Sequence, residues 1–234
     1  MTVDDLVLAR GIRDTRGALA HWNEHPWPVL RSWTLGAVGV SLALLAAVWV
    51  VATEATPDST PISLAGLTYA PGPGDVASVL LHNSLVLALH ATACVAGFIA
   101  GSSLPLSASR RSGLSRLVHE RARPIALGWV VAVTCFSLVT QAYALGSSGA
   151  TLAAQLGLSP LELILTVIPH ALPELTALFL PLAAWTIASR RGEWDQLLAA
   201  TLVTVGVAVP VLVASATWET YVWPHLLAAV SPVA

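Results

Sequence analysis

His170 and Glu174 stand four residues apart inside a long apolar run, so a helix there places an imidazole and a carboxyl on one face within reach of each other. Such a pair suits a proton-sensitive or partner-sensitive latch. With His82, Asn83 and His90 in a second apolar run it forms an intramembrane polar cluster, to which Glu219 can be added only if the chain tilts or breaks near its end. An ionisable group near the centre of a membrane span costs about 2.5–3.5 kcal/mol on insertion scales, so a retained one has a partner or a role. The plainer reading is interhelical hydrogen bonding, worth about 0.6 kcal/mol per bond. His82, His90, His170, Glu174 and Glu219 are also suitable metal-ligand types. Against metal or hydrolase chemistry, the chain has no His-Glu-x-x-His helix, no Gly-x-Ser-x-Gly elbow and no aspartate within a span. It also lacks the Gly-Lys-Ser/Thr ending of a phosphate loop. The expectation is a protein that is not an enzyme and that carries no cofactor and no metal.

These residues need spans to hold them. The chain has 234 residues, 56% hydrophobic and 10% charged, with no lysine, whereas a water-soluble domain is about 25% charged. It therefore reads as a membrane protein, with nucleic acid excluded as a partner. Its arginines fall in three clusters: Arg10, Arg13, Arg16 and Arg31; Arg110, Arg111, Arg116, Arg121 and Arg123; and Arg190 and Arg191. Each cluster flanks an apolar run, and the positive-inside bias puts all three in the cytoplasm. The prediction is an all-α polytopic bundle of five spans, N-terminus inside and C-terminus outside. Cys94 and Cys135 lie in apolar runs and read as small packing residues.

The predicted spans run about Trp33–Ala52, Val76–Gly101, Pro124–Leu145, Leu161–Ser189 and Leu197–Trp218. Before them, residues 1–32 suit an amphipathic helix on the inner leaflet, ended by Pro26 and Pro28, with no cleavable signal peptide. Residues 33–225 form the five-span domain and 226–234 an external tail. The Pro- and Gly-rich stretch Thr53–Asp75 reads as a short ordered cap. Inner-loop residues Ser102–Arg123 and a Gly/Ser/Ala-rich outer loop flank the third span. Pro169, Pro173 and Pro181 predict that the fourth span is kinked or broken, with Pro169 and Pro173 at the break. Tryptophans, which favour membrane interfaces, agree with this layout: Trp22, Trp27, Trp33, Trp129, Trp185 and Trp194 inside, Trp49, Trp218 and Trp223 outside.

At 1.5 Å per residue, His170 lies roughly 14 Å and Glu174 roughly 20 Å deep, while His82 and Asn83 lie roughly 10 Å and His90 roughly 21 Å deep. The matched depths predict that the second and fourth spans pack together. Down one stripe of the second span His82, Asn83, Val86, His90 and Cys94 lead to Gly97 and Gly101, a Gly-x-x-x-Gly spacing that lets helices approach closely.

The run Ile168-Pro169-His170-Ala171-Leu172-Pro173-Glu174-Leu175 resembles the Pro-His-Gly-x-x-Glu-Leu signature of the stage II sporulation protein M family. Trp218-Glu219-Thr220-Tyr221-Val222-Trp223-Pro224 is similar to that family's closing Ile-Glu-x-x-x-x-Pro segment, and His82-Asn83 above Gly97 and Gly101 to its His-Asn and glycine-rich helix. The resemblance covers about residues 76–225. Ala171 stands where the family usually has glycine, the ending is unusually aromatic, and the N-terminal segment is short. The resemblance implies a non-enzymatic membrane protein that, in endospore formers, assembles with cell-wall hydrolases and helps localise them. It carries over Asn83, His170, Glu174, Glu219 and Pro224 as matching positions, with His82 and Pro169 as neighbours; Glu219 and Pro224 are read as an outer-face motif, Glu219 with the outer aromatics presenting a surface to an extracytoplasmic partner.

The expected role is a scaffold or assembly subunit of the cytoplasmic membrane, with the lipid bilayer and proteins in or outside it as partners and further copies of the chain an open option. A transport component is the rival reading, and a metal-dependent intramembrane hydrolase the third.

Overall fold

The computed structural model describes residues 7–103 and 114–233. Its helices are α1 (Val7–Glu24), α2 (Pro26–Glu54), α3 (Pro73–Phe98), α4 (Leu114–Gln155), α5 (Pro160–Arg191), α6 (Leu197–Tyr221) and α7 (Trp223–Val230). A π-helical turn, Ile99–Ser103, follows α3, and a 3₁₀ turn, Trp194–Gln196, precedes α6. Among the described residues, five stretches are long and apolar enough to cross a membrane: Pro26–Glu54, Pro73–Gly101, Leu127–Gln155, Pro160–Arg191 and Trp194–Tyr221. At 1.5 Å per residue each exceeds a hydrocarbon core about 30 Å thick.

Several boundaries differ from the sequence reading for identifiable reasons. Pro26 and Pro28 open α2 instead of merely ending α1, because the first turn of a helix needs no N–H from those positions. The Gly/Ser-rich stretch after Leu145, expected as a loop, continues α4 to Gln155. Packing overrides its weak helix propensity: a Cβ on Gly146 would lie 2.5 Å from Val51 Cβ, so glycine lets α2 and α4 touch. Pro169 and Pro173, expected to kink or break the fourth span, do not break it and sit inside one continuous helix. A proline removes its own donor, yet the flanking turns keep theirs and the helical course is retained. Ser159 and Glu162 start that helix as a reciprocal cap, the Ser159 N–H and hydroxyl both donating to Glu162 Oε2 at 2.8 Å. Of the inner-loop expectation, residues 104–113 lie outside the described residues, and Leu114 onward is helical.

The chain forms two compact units. The first comprises the N-terminal stretch through Ala37, Val86–Thr134 and Leu178–Val207. In it α1 lies against the 3₁₀ turn and Trp22 meets Trp33 edge-on at 5.1 Å. Cys94, Phe98, Ala188 and Leu197 make its core with Trp185, Trp194 and Leu198 packed on them. Here α3 and α5 pack as expected: the Cys94 thiol donates to Pro181 O at 3.1 Å, and a Cβ on Gly97 would fall 2.7 Å from Trp185 Nε1. Gly101 also makes room for an indole, that of Trp194 in the 3₁₀ turn.

The second unit comprises Val38–Leu85, Cys135–Ala177 and Ala208–Ala234. Ala153, Leu163, Trp223 and Leu227 are its core, with Leu64, Leu67 and Val167 among the residues packed around them. The 53–75 stretch is the ordered cap expected. Asp58 N–H donates to Thr151 Oγ1, Ile62 N–H to Gln155 Oε1, and Gln155 Nε2 to Thr60 O, all at 2.9–3.0 Å. Gly66 turns the chain at φ +84°, where a side chain would also collide with Pro224. Residues 223–230, mostly read as tail, form α7, and Leu227 is fully buried.

Candidate functional site

Within the second unit, α5 carries His170 and Glu174 one turn apart, and both line a cavity of about 260 Å³. Its walls are otherwise largely aliphatic: Leu45 and Val48 of α2, Leu145 and Leu152 of α4, and Leu163, Ile164, Val167 and Leu175 of α5. Glu219 of α6 and Trp223 of α7 complete it. The polar content is thus an imidazole and two carboxyls, with Ser148 the other hydroxyl-bearing wall residue.

His170 is 5% exposed, and its Nδ1 is buried without a hydrogen-bond partner. Its ring lies 5.4 Å from that of Trp223, tilted by 53°. Trp223 is held in turn, its Nε1–H donating to Thr166 Oγ1 at 3.1 Å across α7 and α5. The Glu174 carboxyl has Glu219 and the Asn83 amide as neighbours, yet Glu174 Oε2 and Asn83 Nδ2 complete no hydrogen bond with good geometry. Buried polar atoms are ordinarily satisfied, and although His90 Nε2, Thr176 Oγ1, Trp185 Nε1 and Ser189 Oγ also lack partners, His170 and Glu174 differ from these in lining the cavity.

The structure gathers only part of the set read from the sequence. Asn83 is buried beside Glu174, whereas its neighbour His82 is exposed, since adjacent helical residues point about 100° apart. His90 belongs to the first unit. There its Nδ1 lies 2.9 Å from Val86 O and its ring meets Phe179 edge-on at 5.2 Å. Glu219, expected on an outer face, lines the cavity instead, because α6 continues past it to Tyr221 and turns its carboxyl inward. Pro224 is buried against Gly66. Trp223 is the cavity-wall residue that sequence reasoning placed among the outer-side aromatics and not in the polar cluster. Its position directly after the Glu219 segment was the available signal.

Among the described residues, no three His, Cys, Asp or Glu side chains are placed to share a metal ion. Cys94 is buried and Cys135 exposed, both as free thiols.

No curated protein and no solved structure matches the chain. The model of the family described as Stage II sporulation protein M does, over residues 122–224, a segment that holds His170, Glu174, Glu219, Trp223 and Pro224 and leaves out His82, Asn83, Gly97 and Gly101.

Proposed function

We propose that this multi-pass membrane protein is a non-enzymatic assembly subunit of the cytoplasmic membrane, N-terminus inside and C-terminus outside, that holds extracytoplasmic, cell-wall-related partners. The orientation rests on the arginine clusters and the positive-inside bias. The partner class rests on the Stage II sporulation protein M match over residues 122–224. One observation carries the reading: the His170–Trp223 contact and the Glu174–Glu219 proximity tie the polar face of α5 to the chain's closing segment. Exposed Trp218, Tyr221, Val222 and Leu226 lie on that segment, so a partner seated there is coupled to the buried cluster through a few side chains.

The test is purification of the tagged protein in mild detergent with identification of what co-purifies, wild type against Glu174→Gln. Recovery of cell-wall hydrolases or other extracytoplasmic proteins, reduced in the variant, supports assembly. A Glu174→Gln variant that recovers them equally well sinks the coupling. The cavity favours a second reading, a transport component, and co-purification of a nucleotide-hydrolysing subunit would replace the first reading with it. The hydrolase reading has no support from the arrangement of the ligating residues.

A further inference from the structure

The second unit contains no arginine and no lysine, since every arginine of the chain lies in the other unit. Its cavity nonetheless is lined by the carboxyls of Glu174 and Glu219 and by the 95% buried His170, whose Nδ1 is unsatisfied. Carboxylates in apolar surroundings require a cation or a proton, and this unit supplies neither from a basic side chain other than histidine. The acceptors available are Glu174 Oε2, the Glu219 carboxyl and His170 Nδ1, the last when the ring proton sits on Nε2. A primary ammonium has three N–H donors and no acceptor, which matches that acceptor-only set in kind. The Trp223 indole on the cavity wall adds an aromatic surface suited to a cation.

The remaining wall is aliphatic, so the ligand carries an apolar body next to its charge. A dry cavity of about 150 Å³ holds one benzene ring. The roughly 260 Å³ here therefore admits a short alkyl or aryl chain together with the amine. A zwitterionic lipid headgroup fits less well, because its phosphate would lie beside two carboxyls with no arginine or lysine in the unit to pair with it.

We infer that this cavity is a binding site for a small hydrophobic primary amine in its ammonium form, held by Glu174, Glu219 and His170 and bearing no phosphate. The site is independent of the assembly reading, because it is assayed on the purified protein alone.

The test is equilibrium dialysis of labelled n-hexylamine, at neutral pH, against the full chain in phosphatidylcholine nanodiscs, with empty nanodiscs subtracted for partitioning. The expected result is saturable binding in excess of partitioning, with n-hexanol, its neutral twin, binding about tenfold more weakly or worse, the loss associated with a charged hydrogen bond. Glu174→Gln and Glu219→Gln each weaken the amine by about tenfold or more and leave the alcohol unchanged, while Glu54→Gln, an exposed carboxyl of the same unit, changes neither. No saturable excess overturns the proposal and assigns the carboxyls a proton in place of a ligand. Equal binding of amine and alcohol overturns it in favour of a purely apolar hole, and this comparison needs no variant to fold. Competition by phosphatidylethanolamine nanodiscs as effective as free amine overturns it in favour of a lipid headgroup.

Discussion

In the first unit the largely apolar space, about 670 Å³ beside α1, holds no carboxyl or histidine and Gly97 and Gly101 are closed off by tryptophans, whereas the second keeps a cavity of about 260 Å³ around two carboxyls and a histidine. Both units bury a histidine from an apolar span. Each leaves one ring nitrogen without a partner, but His90 is fixed by the Val86 carbonyl and the edge of Phe179, while His170 lines a cavity. Neither residue type nor hydropathy separates the two. The difference lies in what faces each ring, and it teaches that the surroundings of a buried histidine are chosen by the elements packed on it, a carbonyl and a ring edge at His90, a cavity and the Trp223 indole at His170.

Adding the same methyl group to a glycine of each unit breaks or sharpens that contrast most strongly. Gly97→Ala drives a Cβ to within 2.7 Å of Trp185 Nε1 and 2.8 Å of Leu197 Cδ1, and is expected to destabilise by about 1–3 kcal/mol. Gly149→Ala, on the cavity wall, meets only Leu163 Cδ2 at 3.8 Å and should stabilise its helix by about 0.5–1 kcal/mol. Detergent-solubilised thermal melts of the two variants decide the matter, and equal losses would erase the distinction between the closed contact at Gly97 and the open one at Gly149.

Trp223→Phe keeps most of the ring while removing the donor to Thr166, and should cost about 1 kcal/mol in the same melts. If the second unit is held mainly by burial of Leu227 and Trp223, the loss will be smaller than this, and the hydrogen bond contributes little.

The smallest effect is expected in the cap. Thr60 donates its backbone N–H and hydroxyl to Asp58 Oδ1 and holds that carboxyl below the usual aspartate range. A depressed folded pKa means that the contribution is present above the unfolded value and is lost as pH falls through the folded one. Amide exchange of residues 58–62 should therefore quicken as pH is lowered below the ordinary aspartate range, after correction for intrinsic rates. In Asp58→Asn this pH dependence should vanish, and its persistence would point to another acid.

The limits of sequence reading show in particular residues. Asn83 and His82 are equally polar and adjacent, yet only Asn83 is buried beside Glu174, because a helix face is chosen by the neighbours it meets. Glu219 lies so close to the predicted end of its span that an outer-face position was the natural expectation. Its inward turn depends on α6 running on to Tyr221 and on Trp223 docking against His170. The stretch after Leu145 read as loop from composition, but contact between Gly146 and Val51 makes it helix.

The class of protein, the apolar stretches able to cross a membrane, the packing of α3 on α5 at Gly97 and the placing of His170 and Glu174 on one helix face were set by sequence alone, since hydropathy, glycine spacing and helical period are local properties. The tertiary structure decided which polar residues share a cavity. That outcome depends on contacts between α5, α6 and α7 that no local pattern encodes, and on the absence of any arginine or lysine from the unit they build.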